Sequence, residues 1–145
     1  MKILLQHCQK NEWSCGPACC RALLNLHGFR YPTWEKAAEI AGTDTIKGTS
    51  PQGMLCLLNA YTPKPFIPCY ILGCAAYVLR ECLPCIVNYQ MGDDGHYGLV
   101  LGLKDKHIVL WEPYYAKSVR YTIKEFVDAW YSKRYGSHWA AYLGD

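Results

Sequence analysis

The first half of the chain has apolar residues spaced as on one face of a helix. The clearest run begins at Cys15, directly after Ser14, a residue type that caps helix N-termini. Pro17 is tolerated only in the first turn of a helix and Gly28 is typical of a helix end, so this run predicts a helix from Cys15 to about Gly28. The same spacing predicts two further helices, each after a capping Thr or Ser, over residues 34–41 and 51–60.

The pattern changes after Pro84, where apolar and aromatic residues form short continuous runs separated by turns. These runs predict strands over residues 85–90, 96–103, 107–111, 118–121 and 137–143. A helix over residues 123–131 is predicted after the capping residue Thr122. Weaker patterns predict a lead-in strand at 3–5, a strand at 69–72 and a short helix at 75–81. Helices followed by antiparallel strands predict an α+β fold in two layers.

Composition is typical of an ordinary globular domain. The 145 residues are 51% hydrophobic and 19% charged, which predicts a single domain over residues 1–145. The net charge of +3 is spread along the sequence without a basic run, which argues against nucleic acid as a partner. The apolar start is too short for a signal peptide, no run is long enough to span a membrane, and the nine cysteines are an odd number. We therefore expect a cytoplasmic protein with mostly reduced thiols.

Cys15 is the candidate nucleophile. The partial positive charge of a helix N-terminus favours the thiolate, which is the reactive form of cysteine. His96 opens a predicted strand and Glu112 ends the next one, so the hairpin centred on residues 104–106 predicts that the two side chains are neighbours. A carboxylate beside an imidazole can orient it toward a thiol. Gln9 lies on the loop before the helix, where its amide can donate to an oxyanion together with the Cys15 N–H.

Three blocks of sequence carry a resemblance to a known family. They are Gln9…Ser14-Cys15-Gly16-Pro17-Ala18, Gly95-His96-Tyr97-Gly98-Leu99-Val100 and Trp111-Glu112-Pro113. The first resembles the Q-x-x-x-x-[DS]-C-G-x-A block of the C39-like papain-fold cysteine peptidases, the second that family's histidine strand, and the third its Asp-Pro. Further matches in the same order extend the resemblance over nearly the whole chain. The papain-type signature C-G-S-C-W is absent, so the kinship to that branch is at the level of the fold.

The resemblance implies a papain-like α+β domain that hydrolyses peptide bonds as a thiol protease, without a metal or an organic cofactor. The roles it implies are nucleophile for Cys15, general base and acid for His96, orientation of the imidazole for Glu112, and oxyanion donor for Gln9. The family usually has Asp where this chain has Glu112, which is one methylene longer, and Asp94 is the alternative carboxylate. Relatives often belong to exporters and trim leader peptides after a double glycine. This implies a peptide or protein substrate and leaves open a partner protein that delivers it.

Three other interpretations stay open on the sequence alone. The same thioester could pass its acyl group to an amine or thiol, as in an acyl or peptidyl transferase, and products formed with an added acceptor would distinguish the two. The cleft could also bind peptides without cleaving them, although Cys15 and His96 are both present. Finally, Cys82-x-x-Cys85 has zinc-like spacing, and further candidate ligands are Cys19, Cys20, Cys69 and Cys74. Burial as small hydrophobic residues explains these cysteines better.

Overall fold

The computed structural model describes residues 2–71, 79–91, 94–132 and 137–144. The helices within these ranges include α1 (Lys2–Leu5), α2 (Cys15–Leu26), α3 (Trp34–Ala41), α4 (Pro51–Asn59) and α5 (Ile123–Trp130). The last four confirm the helices predicted at Cys15–Gly28, 34–41, 51–60 and 123–131. The helix predicted at 75–81 lies mostly outside the described residues, and so does Cys74. Within the described ranges, no helix has the length and apolar character needed to cross a membrane.

Short polar side chains begin three of these helices, as predicted. Thr33 Oγ1 accepts a backbone N–H from the first turn of α3 at 3.3 Å, and Ser50 Oγ accepts that of Gly53 at 3.1 Å. Before α5, Thr122 Oγ1 accepts the N–H of Glu125 at 3.2 Å, and Glu125 Oε2 accepts the N–H of Thr122 at 2.9 Å. These bonds satisfy N–H groups that a helix start otherwise leaves unpaired.

The N-terminal segment is the helix α1, so the strand predicted at residues 3–5 is wrong. Three consecutive apolar residues do not distinguish helical from extended spacing. The helix packs against α2 and buries Leu4, which is 1% exposed, while Leu5 is 56% exposed. The N–H of His7 then bonds to the carbonyl of Leu4 in a closing turn. The buried leucine thus anchors the segment that leads to Cys15.

An antiparallel sheet occupies the centre of the described structure. Its strands are β1 (Phe66–Ile71), β2 (Cys85–Met91), β3 (Asp94–Lys104), β4 (His107–Glu112), β5 (Lys117–Thr122), β6 (Tyr131–Ser132) and β7 (Ser137–Leu143). The order across the sheet is β1-β7-β2-β3-β4-β5, and β6 pairs with β7. The strands predicted after residue 84 are confirmed, and the one predicted at 69–72 begins earlier, at Phe66.

Both faces of the sheet are covered, so the fold has one layer more than the two predicted. Helices α2 to α4 pack on one face over a cluster that includes Leu23 and Trp111. Helix α5 packs on the other face, where Phe126 and Trp130 join a second cluster. Strands covered on both faces have continuous apolar runs, which explains the sequence pattern after Pro84. This packing holds α2, which begins with Cys15, against β3.

Candidate active site

Cys15 is the first residue of α2 and is 8% exposed. The preceding Ser14 does not cap the helix with its side chain, contrary to the prediction. Its hydroxyl instead accepts the N–H groups of Lys10 and Asn11, at 3.0 and 3.1 Å, and donates to the Asn11 carbonyl at 3.1 Å. The first-turn N–H groups of α2 are therefore not occupied by this side chain. Their partial positive charge remains available beside the Cys15 thiol.

Gly16 holds the start of α2 close to the segment before α4. A Cβ atom on Gly16 would come within 2.8 Å of Thr49 Oγ1, closer than real contacts of this kind. Thr49 is itself fixed, because its carbonyl accepts the hydroxyl of Tyr97 at 2.8 Å. Tyr97 lies on β3 next to His96. These contacts therefore tie together the two elements that carry Cys15 and His96.

His96 and Glu112 form a buried pair. The Nε2 atom of His96 lies 2.6 Å from Oε1 of Glu112, and the two residues are 5% and 3% exposed. The predicted contact between the two side chains is present. The strand pairing from which it was predicted, with His96 and Glu112 opposite each other at the ends of a symmetric hairpin, is wrong. Leu99 faces Trp111 across β3 and β4, and a bulge in β3 shifts the pairing, so His96 lies diagonally from Glu112. Long side chains can bridge a diagonal of this kind, and the extra methylene of Glu suits it.

The imidazole of His96 also lies beside the Cys15 thiol and interacts with it. Since Nε2 faces Glu112, Nδ1 is the ring nitrogen left for the thiol. Burial lowers the pKa of His96, but its interactions with Cys15 and Glu112, through hydrogen bonding and the charges of both groups, outweigh burial and raise the pKa to about 9. The ring is therefore held as imidazolium at neutral pH, next to a thiol.

Three donors hold the Glu112 carboxylate. Oε1 accepts from His96 Nε2 and from the Tyr114 N–H at 2.9 Å, and Oε2 accepts from the Tyr89 hydroxyl. Burial raises the pKa of this carboxyl, but the bond and charge of His96, with the bonds from Tyr89 and Tyr114, hold it below the ordinary value. Tyr89 was not predicted, because it lies in a continuous apolar run and reaches the site only through the pairing of β2 with β3. The side chain of Asp94 lies outside the described residues.

Gln9 is anchored at the end of β4. Its backbone N–H donates to the carbonyl of Pro113, the residue after Glu112, at 3.0 Å. Its side-chain Nε2 donates to the carbonyl of Asn11 at 2.7 Å, and Oε1 is buried without a partner among the described residues. An amide nitrogen carries two hydrogens, so a second donor remains on Nε2. The oxyanion role of Gln9 stays a prediction.

Burial suppresses the ionisation of several other thiols. Cys19 and Cys20 are fully buried in α2, and burial, followed by the charge of Cys15, raises the pKa of both well above the ordinary value. Burial likewise raises the pKa of Cys69 and of Cys82, two thiols that interact with each other. Over the ranges that the structure describes, no cluster of His, Cys, Asp or Glu could hold a metal ion, so the zinc interpretation gains no support there.

The sequence from residue 5 to residue 134 matches the model of the Peptidase C39 family. The chain belongs to this family. It is a cysteine-type peptidase, as the three resembling sequence blocks implied. Comparison with curated protein sequences gives no match.

Solved peptidase domains share the fold of this chain. The peptidase domain of Streptococcus ComA, a bi-functional ABC transporter involved in quorum sensing, is 20% identical, with 94% of each chain covered and a TM-score of 0.76. A double glycine motif protease from an AMS/PCAT transporter, in complex with the leader peptide, is 16% identical over 93% of this chain and 86% of its own, with a TM-score of 0.75. The peptidase domain of Streptococcus mutans ComA is 16% identical over 94% of this chain and 96% of its own, with a TM-score of 0.65. The papain-like α+β fold is thus confirmed.

Proposed function

We propose that this C39 peptidase hydrolyses peptide bonds with Cys15 as nucleophile, His96 as general base and acid, and Glu112 as the residue that orients His96. The observation that carries the proposal is the continuous contact from the Cys15 thiol through the His96 ring to the Glu112 carboxylate. The contact joins α2, β3 and β4 and is buried, so rigid elements hold it in place. A nucleophile, a base and a residue that orients the base are what thiol catalysis requires.

In the first half of the reaction, the Cys15 thiolate attacks the carbonyl carbon of the peptide bond and a C–S bond forms. The N–H of Cys15 and the remaining N–H of the Gln9 amide stabilise the oxyanion. The His96 imidazolium then gives its proton to the leaving amine as the C–N bond breaks. A thioester remains on Cys15.

In the second half, a water molecule attacks the carbonyl carbon of the thioester. Neutral His96 takes a proton from the water as the C–O bond forms, and the C–S bond breaks to release the Cys15 thiolate. Glu112 stays ionised, because its pKa lies below the ordinary value, and it stabilises the imidazolium form of His96. These steps use side chains of this chain and water.

We propose a peptide or protein substrate with small residues at the cleavage site. Family membership and the similarity to a double glycine motif protease support this choice. Cys15 is 8% exposed, so a backbone without bulky side chains approaches it most easily. The single domain over residues 1–145, the cytoplasmic location and a partner that delivers the substrate stay predictions.

The first test measures the rate at which iodoacetamide alkylates Cys15 across pH. We expect Cys15, identified by peptide mapping, to react fast well below about pH 8.5, where an ordinary thiol is mostly protonated. His96→Ala should remove this reactivity at low pH. Cys19 serves as internal control, because burial raises its pKa. The proposal is wrong if Cys15 reacts no faster than the other cysteines and His96→Ala changes nothing.

The second test uses peptides with a central Gly-Gly and matched peptides with Val-Val in its place. Cleavage of the Gly-Gly peptides by the wild type, and none by Cys15→Ala, supports hydrolysis at small residues. Adding an amine acceptor separates hydrolysis from acyl transfer, since a transferase makes an acceptor-linked product in place of the free acid. Binding of the Gly-Gly peptides without any cleavage would favour the peptide-binding alternative.

A further inference from the structure

Tyr89 contacts both residues of the buried pair beside Cys15. Its hydroxyl donates to Oε2 of Glu112, and its ring meets the His96 ring edge-on, with centroids 5.6 Å apart. Tyr89 lies on β2 directly opposite His96 on β3 and is 3% exposed. The sheet therefore fixes its backbone, Glu112 binds its hydroxyl, and His96 packs against its ring.

The Glu112 carboxylate needs a donor on each oxygen to keep one orientation. Its side chain has one torsion angle more than the Asp usual in the family, so fixing it in one orientation costs more conformational entropy. His96 and the Tyr114 N–H hold Oε1, and the Tyr89 hydroxyl holds Oε2. Without that hydroxyl, a buried carboxylate oxygen would lose its hydrogen bond, which favours rotation of the group away from His96.

The Tyr89 phenol keeps its proton at physiological pH. Burial raises the pKa of Tyr89 far above the ordinary value, and the charge of Glu112 and its hydrogen bond raise it further. Tyr89 therefore remains a hydrogen-bond donor and does not exchange protons with His96. An effect of the Tyr89 hydroxyl on the thiol therefore passes through Glu112, which accepts its hydrogen bond.

We propose that Tyr89 is a positioning residue for the Cys15–His96 pair. By holding Oε2 of Glu112, it directs Oε1 toward His96 Nε2 and so stabilises the imidazolium that accompanies the thiolate. This inference rests on the proposed function, in which that ion pair begins the reaction.

The test compares Cys15 alkylation in the wild type and in Tyr89→Phe, which keeps the ring and removes the hydroxyl. At about pH 6 we expect the rate to fall roughly tenfold, because the thiolate forms there as the partner of the imidazolium. At about pH 10 an ordinary thiol ionises unaided, so the two rates should agree within about twofold. General destabilisation would not produce this dependence on pH.

Two further variants make the test specific. Tyr121→Phe removes a hydroxyl next to the same hydrophobic cluster but none of the three donors to Glu112, and it should leave the ratio of the two rates unchanged. In a Glu112→Gln background, Tyr89→Phe should cause no further loss at about pH 6, because its effect passes through Glu112.

A rate in Tyr89→Phe within about twofold of the wild type at about pH 6 overturns the inference, and so does an equal loss in the Glu112→Gln background. The proposed function survives that result as long as His96→Ala abolishes the low-pH reactivity, and it fails where His96→Ala has no effect. If Tyr89→Phe makes Cys19 or Cys20 reactive, the core has opened. Tyr89→Met, which lacks both the hydroxyl and the ring, then replaces it. The inference requires that the loss of rate in Tyr89→Met at about pH 6 disappear in the Glu112→Gln background, because a loss caused by the missing ring contact with His96 would persist there.

Discussion

The ring of Tyr89 lies directly against Gly98. A Cβ atom on Gly98 would come within 2.8 Å of Tyr89 Cε1 and 3.0 Å of Leu110 Cδ1. Gly98 follows His96 by two residues on β3, so the two positions share a face of the strand. The missing side chain at Gly98 therefore makes room for the aromatic ring whose hydroxyl reaches Glu112.

Gly98→Ala should displace Tyr89 and weaken its bond to Glu112. We expect Cys15 alkylation at about pH 6 to slow roughly tenfold, and the free energy of unfolding to fall by about 1–3 kcal/mol from overpacking. Gly102→Ala on the same strand is the matched control, because a Cβ atom there meets nothing within 4 Å. Equal behaviour of the two variants in alkylation and urea unfolding would contradict the tight contact between Gly98 and Tyr89.

The pairing of His96 with Glu112 makes stability depend on pH. The pKa of His96 is raised from 6.5 to about 9 in the folded chain, so this contribution is fully present below about pH 6.5 and is lost as the pH rises through about 9. The pKa of Glu112 is lowered, so its contribution is present above the ordinary value of 4.5 and is lost as the pH falls below that range. The pair should therefore stabilise the fold most in mildly acidic solution.

Urea unfolding of the wild type and of His96→Ala, at several pH values between about 5 and 10, measures this contribution. The difference in free energy of unfolding should be largest near about pH 6 and should shrink steadily toward about pH 9. Groups that His96 does not influence titrate alike in both proteins, so their contributions cancel in the difference. A difference that is constant, or that grows with pH, would show that His96 is not held as imidazolium.

Local chemistry accounts for the parts of the structure that were predicted correctly. Thr33 and Ser50 cap their helices through bonds to residues three positions on, so short stretches of sequence suffice. Ser14, in contrast, was predicted to cap α2 and does not. Its hydroxyl could bond either to the first turn of α2 or to the preceding loop. In the structure it accepts the N–H groups of Lys10 and Asn11, which belong to the loop.

The role of Tyr89 depends on pairing between strands, which the sequence pattern does not specify. The contact between His96 and Glu112 was predicted from a symmetric hairpin, whereas a bulge between Val100 and Gly102 places the residues on a diagonal. Tyr89 faces His96 from β2, a strand whose turn to β3 falls partly outside the described residues. Register of this kind follows from tertiary packing, so neither the diagonal arrangement of His96 and Glu112 nor the contact of Tyr89 with them could be derived from periodicity.

Arg21 is a buried cation held between aromatic rings. It is 8% exposed, and its guanidinium lies 4.1 Å from the Trp34 ring centroid and 5.2 Å from that of Tyr31. Its Nε and Nη1 atoms are buried without a hydrogen-bond partner among the described residues, which leaves ring stacking as a main source of stabilisation. A planar guanidinium suits this position better than a compact, strongly hydrated ammonium.

Arg21→Lys should therefore lower the free energy of unfolding by about 1–2 kcal/mol even though the charge is kept. Arg120→Lys is the control, because Arg120 is exposed on the edge strand β5 and should change stability by less than about 0.5 kcal/mol. Chemical denaturation of both variants gives the comparison. If Arg21→Lys is as stable as Arg120→Lys, stacking on Trp34 and Tyr31 contributes little.

Gln9→Ala should lower the rate of peptide cleavage far more than the rate at which Cys15 is alkylated. Removing one oxyanion donor is expected to lower kcat for Gly-Gly peptides roughly 10²–10³-fold. Alkylation of Cys15 by iodoacetamide forms no oxyanion, so its rate should fall far less. Gln6→Ala is the matched control, because Gln6 is an exposed residue of the same segment and kcat should not change. Equal losses of kcat and of alkylation would mean that Gln9 supports the loop around Cys15 and donates nothing to the oxyanion.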